Sequence, residues 1–226
     1  MHSLMDLLLV LLLLTNLLLL ATSRMRSLIR IVALQGMAIG CLPFLAAGHA
    51  PAVRALLLGL GIIALKGFVM PALLIRAMRE TRTRRELKPS IGPTLSLVIG
   101  ILSLLAAFWI SSRLPLPRPA PSPMVVPASL AMIFCGLYII ISRAQALTQV
   151  LGYLVLENGI YLFGAALLIE QPLLIEFGVL LDVFVAVFVM GIIIFHISRE
   201  FDHIDTNRLS ELSDAPGTNA PERGAP

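Results

Sequence analysis

The sequence predicts an all-α membrane protein of about seven transmembrane helices. Three observations carry that reading. Of its 226 residues, 58% are hydrophobic and 13% charged, with a mean hydropathy of +0.94, which is more apolar surface than one soluble core can use. Seven stretches, 4–22, 28–47, 53–75, 92–112, 124–142, 147–169 and 173–197, approach the roughly 20 apolar residues that a span needs. Arginines gather beside the ends of these stretches, so membrane topology accounts for the +4 charge and the pI near 9.6, and nucleic-acid binding is discounted.

The first stretch, Leu7 to Leu20 followed by Ala21-Thr22-Ser23, has the outline of a signal peptide. Its flanks predict a retained helix instead. No Lys or Arg precedes it, Asp6 stands before the apolar run, and Arg24, Arg26 and Arg30 follow it, which places the N-terminus outside. In that orientation the inner segments hold thirteen basic residues against three outside, Arg54, Arg113 and Arg118. The second and fifth stretches carry Cys41 and Cys135 without CxxC spacing or a neighbouring His. They read as small buried hydrophobes rather than as a disulfide or metal site.

In the third stretch Lys66 stands mid-span, with Gly67 beside it and Pro71 one turn on. Pro71 has no N–H for the Gly67 carbonyl, so the helix is expected to bend there. A basic loop (76–90) follows, then the fourth stretch as a linking helix. The run Leu114 to Pro123 alternates prolines and reads as a stiff polyproline connector. Accordingly, residues 1–90 form an N-terminal three-helix half, 91–123 the link, 124–200 a second three-helix half and 201–226 a disordered tail. Matching punctuation makes the halves a parallel duplication: Ser23-Arg24 corresponds to Ser142-Arg143, Arg79-Glu80 to Arg199-Glu200, and Lys66 to Asp182.

The sixth stretch is the most informative. Gln149, Tyr153, Glu157 and Tyr161 recur every four residues, with Asn158 beside them and Gly152, Gly159 and Gly164 read as lying near the same side. Glu157 falls about nine residues, roughly 14 Å, from the inner end, near the middle of a core about 30 Å thick. Keeping a carboxylate charged there costs a few kcal/mol even on lenient scales, and such residues mark ion paths and proton relays. A packing role, in which Glu157 only pairs with a neighbour, is the alternative. Lys66 is read as a relay member, a tuning charge or half of a structural ion pair, and Asp182 as the better relay candidate of the seventh stretch. Glu170 and Glu176 read as solvated helix-end charges, His196 as interfacial and His49 as a turn residue without a role. Phosphate-cradling loops, HExxH and haem or flavin fingerprints are absent, so no cofactor or metal is expected.

The segment Gln149-Val150-Leu151-Gly152-Tyr153-Leu154-Val155-Leu156-Glu157-Asn158-Gly159, with its Leu-Glu-Asn-Gly core, resembles component E of hydrogenase-4 and formate-hydrogenlyase-type membrane complexes. Length, span number and the short polar tail fit that family over nearly the whole chain. The last three helices are similar to subunit K of NADH-quinone oxidoreductase and to component C of multisubunit cation/proton antiporters. The resemblance implies that Glu157 matches the second-helix glutamate that subunit K contributes to a line of charged residues. Subunit K has a second glutamate where Val187 stands here, and Asp182 is the nearby substitute.

Together these imply a non-catalytic subunit of a group 4 hydrogenase or formate-hydrogenlyase-like complex in a bacterial inner membrane, with its C-terminus cytoplasmic. It would take part in proton translocation coupled to redox chemistry elsewhere, through Glu157, Lys66 and Asp182 supported by Gln149, Tyr153, Asn158 and Tyr161. Its partners would be antiporter-like large membrane subunits and hydrogenase subunits within the bilayer. A cation/proton antiporter subunit and a purely structural membrane-arm subunit are the alternatives.

Overall fold

The computed structural model describes residues 2–46, 56, 59–80, 92–115, 122–143, 145–167, 178 and 181–191. The chain is an all-α membrane protein: among the described residues six helices are long and apolar enough to cross a membrane. They are α1 (His2–Ala21), α2 (Met25–Ala46), α3 (Gly59–Arg79), α4 (Pro93–Arg113), α5 (Val125–Ser142) and α6 (Ala146–Leu167). A shorter apolar helix, α7 (Leu181–Gly191), is the described part of the seventh expected stretch. His49, Glu170, Glu176, His196 and the tail 201–226 lie outside the described residues, as do residues 81–91 and 116–121 of the two expected loops.

Two boundaries differ from the sequence reading. Helix α2 begins at Met25, and α3 continues through Arg76 and Arg79, so these two arginines and Arg26 stand on helices rather than in loops, as Arg30 does within the expected stretch. All four are exposed, while Leu28, Ile29, Leu74, Ala77 and Met78 of the same turns are buried. Long arginine stems let an amphipathic last turn keep its charge at the interface, so helix and charge coexist there.

The tightest contact is that of α5 with α6, joined by the short turn after Ser142. Without hydrophobic drive between helices in lipid, close packing of small residues supplies the attraction. Gly152 and Gly159 of α6 lie against α5: a Cβ at Gly159 would sit 2.8 Å from the Ile133 nitrogen, and one at Gly152 would sit 3.0 Å from the Gly136 carbonyl oxygen. A second glycine seam joins α2 to α3, through Gly36 at Lys66 and Gly40 at Ile63 and Gly59. Near the far end, Arg113 stacks its guanidinium 5.7 Å from the ring centroid of the exposed Trp109, an interfacial pairing.

The core consists of two apolar clusters stacked along the bundle axis. One, at the arginine-bearing end, gathers Met25, Leu28, Met78, Ile139, Leu147 and Leu151 among others. The other gathers Leu9, Leu12, Ile39, Leu42, Met132 and Leu162. Between them, on α1, α2, α3, α6 and α7, lies a layer of buried polar side chains: Thr15, Asn16, Gln35, Lys66, Glu157, Asn158 and Asp182.

Candidate functional site

Lys66 stands in a π-helical stretch of α3, Ile63–Val69, which ends where the Met70 N–H donates to the Leu65 carbonyl, five residues back. Pro71, next in line, has no N–H to give. The expected bend at this proline is thus realised as a widened turn, a form that recurs at functional sites. The missing side chain of Gly36 lets the backbone of α2 approach this turn: a Cβ at 36 would come within 2.6 Å of the Lys66 Cβ. The Lys66 stem is therefore held against α2 with its ammonium directed to α6 and α7.

There it meets two acceptors and a further carboxylate oxygen. Nζ donates to Glu157 Oε1 at 2.7 Å and to Asn158 Oδ1 at 3.2 Å, and lies 3.5 Å from Asp182 Oδ1. All four residues are buried, Lys66 being 8% exposed and Asn158 1%. From the start of α6 to Glu157 is eleven residues, about 16 Å at 1.5 Å each, so the site lies deep in the bilayer. Glu157 Oε2 and Asp182 Oδ1 have no hydrogen-bond donor among the described residues.

The arrangement holds one ammonium against two carboxyl groups. A buried charge persists when it is paired, and one cation neutralises one anion. The cluster is neutral when Lys66 is charged, one carboxylate is ionised and the other carboxyl carries a proton. That is the composition of a site that can hold one exchangeable proton between two oxygens.

Glu157, Lys66 and Asp182, which the sequence nominated from three separate stretches, thus occupy one cluster. The expected supporting face is dispersed. Asn158 joins the cluster through its carbonyl oxygen, whereas Tyr153 and Tyr161 are half-buried and pack on the two apolar clusters. Gln149 is exposed, its amide donating to the Arg143 carbonyl at 3.0 Å. A spacing of four rotates by about 40° per step on a helix of 3.6 residues per turn, so Gln149 is about 80° from Glu157. Gly152 and Gly159 are turned by about 140° and 160° from Glu157 on the same count, onto the α5 seam instead of the polar side. On α7, Val187 is 66% exposed and Asp182 2%, so the carboxylate faces inward and the valine outward.

Sequence reasoning did not single out the uncharged part of the layer. Gln35 Nε2 donates to Asn16 Oδ1 at 2.9 Å and to Thr15 Oγ1 at 3.1 Å, and the Cys135 thiol lies 3.7 Å from the Asn16 carbonyl. The signal was present as Thr15-Asn16 within an otherwise leucine-rich run.

These features define a multi-pass membrane protein built around a buried cluster of one ammonium and two carboxyl groups. Its relatives narrow the class. The uncharacterized protein Rv0085 of Mycobacterium tuberculosis is 34% identical over 192 residues, 84% of this chain and 87% of the relative. Hydrogenase-4 component E of Escherichia coli, like that of Shigella flexneri, is 28% identical over 147 residues, 65% of this chain and 68% of the relative. The chain belongs to the family of the mycobacterial protein, a family related to hydrogenase-4 component E. No protein-family model matches it, and no solved structure does.

Proposed function

We propose that the chain is a non-catalytic membrane subunit of a hydrogenase-type complex, in which Lys66, Glu157 and Asp182 load and release a proton in step with redox chemistry in partner subunits. One observation carries the reading: a single buried ammonium is shared by two buried carboxyl groups, each with an oxygen lacking a hydrogen-bond donor among the described residues. A structural ion pair needs one carboxylate, and the second is the feature that a proton-handling site requires. The relationship to hydrogenase-4 component E supports the other subunits of a hydrogenase-type complex as the partner class; antiporter-like large membrane subunits among them are part of the proposal. The inner-membrane orientation with an outer N-terminus is supported by the clustering of Arg24, Arg26, Arg30, Arg76, Arg79 and Arg143 at one end of the bundle, with Arg113 at the other.

Lys66 acts as the fixed cation between Glu157 and Asp182. A proton arriving at one carboxyl is matched by ionisation of the other, so the charge of the cluster is conserved as the proton moves on. Asn158 holds the ammonium in place while its carboxylate partner changes. In the assembled complex, Glu157→Gln is expected to abolish coupled proton transport while redox turnover with an artificial acceptor persists. Undiminished transport in that variant overturns the reading.

A further inference from the structure

The surroundings of Lys66 differ on its two sides along the bundle axis. Toward the end remote from the arginines, α2 and α3 meet through glycines with no intervening space: a Cβ at Gly40 would lie 3.1 Å from both the Gly59 oxygen and the Ile63 nitrogen, and one at Gly67 would lie 2.7 Å from Met37 Cγ. Toward the arginine-bearing end the same helices pack through larger side chains instead of glycines. A cavity lies there between α2, α3 and α6, lined by Lys66, Asn158, Ile29, Val32, Pro71 and Leu74, with Met70 and Leu154. It has room for about one water molecule.

The backbone of α3 beside this cavity is short of a donor. Met70 gives its N–H to Leu65, so it does not serve the Lys66 carbonyl, and Pro71 cannot serve that of Gly67. At least one of these two carbonyls has no donor within α3. In a membrane such groups are met by water or by neighbouring polar side chains. Asn158 and Lys66 both line the same space, the two polar residues that a water there can meet.

We infer that the charge cluster is reached by water and protons from the arginine-bearing end of the bundle, through this cavity between α2, α3 and α6. The proton as cargo rests on the function proposed above; the sidedness of access does not. Ile29 and Leu74, both about 2% exposed, form an apolar neck between the cavity and the surface, so water enters as the helices breathe rather than through a standing channel.

Cysteine accessibility tests this in native membranes holding the assembled complex, in a Cys41→Ser, Cys135→Ala background. Leu74→Cys and, as a second reporter in case the first disturbs assembly, Ile29→Cys should react with a small membrane-impermeant cationic methanethiosulfonate at least about tenfold faster from the arginine-bearing side than from the other. Ile63→Cys, in the glycine seam, should be protected from both. Faster reaction at 63 than at 74 and 29, or equal rates from both sides at 74 and 29, overturns the inference. Pro71→Ala restores the missing N–H and should slow Leu74→Cys modification severalfold; an unchanged rate also counts against it. If Glu157→Gln transports normally while the one-sided labelling holds, the access route stands and the proton reading falls.

Discussion

Replacing Lys66 by Met keeps an unbranched stem in the π turn and removes the ammonium on which the cluster is built. At 2.7 Å from Glu157 Oε1, with an effective dielectric constant near 20, that charge contributes an attraction of about 6 kcal/mol, before the cost of withdrawing both ions from water is counted. Deleting one partner of a buried pair costs about 3–5 kcal/mol, because the remaining ion is left without compensation. Lys66→Met is therefore expected to lower stability by about 3–5 kcal/mol, read by equilibrium unfolding in mixed micelles. Glu157→Gln in the same assay leaves Lys66 with Asp182 and Asn158 as partners, and should cost less, about 2 kcal/mol. The two substitutions should be strongly non-additive: the double variant should be at least about 2 kcal/mol more stable than the sum of the singles predicts. Additivity to within about 0.5 kcal/mol would show that Lys66 and Glu157 do not depend on each other, and would refute the cluster as an energetic unit.

Three further outcomes are expected. Asp182→Asn should reduce coupled proton transport at least tenfold, while Val187→Ala, on the outward face of α7, leaves it unchanged; the reverse pattern would move the second carboxyl function to another place. Asn158→Leu removes the neutral acceptor of the Lys66 ammonium and should destabilise the protein by about 2 kcal/mol, measured by unfolding in the same micelles. Gly159→Leu drives a side chain into the backbone of α5 at Ile133 and Ser129, and should cost about 3 kcal/mol or more and lower the amount of folded protein recovered from membranes; Gly61→Leu, where nothing lies within 4 Å, should be tolerated.

How much of this was legible in the residues follows from the energetics of lipid. Spans declare themselves because every residue in them must be apolar enough to enter the bilayer, and Lys66, Glu157 and Asp182 declare themselves by the same rule, as charges where charge is expensive. Their meeting was not legible, since no local pattern relates residue 66 to residues 157 and 182. Gln149, Gly152 and Gly159 were assigned to the wrong side because recurrence along the sequence was taken as one face, although rotation accumulates along the helix. The Asn16–Gln35 hydrogen bond was overlooked because an uncharged polar residue costs little once paired and so stands out little in sequence. Pro71 announced an irregularity in α3. That the helix widens there is a matter of tertiary fit, with Gly36 making room for the turn.

The π stretch has a mechanical consequence. A wide turn stores one surplus residue, and surplus of this kind can be passed along a helix or expelled from it. Were Ile63–Val69 to tighten to ordinary α geometry, the helix beyond it would turn by about 100° relative to the part before it, and Lys66 would swing out from between its two acids. Pro71 stands at the edge of the stretch as a stop, since it cannot donate the bond that a tightened turn would require of it. In this structure the wide turn keeps the cation between Glu157 and Asp182, and Pro71, unable to close an ordinary α-helical bond, holds the turn wide.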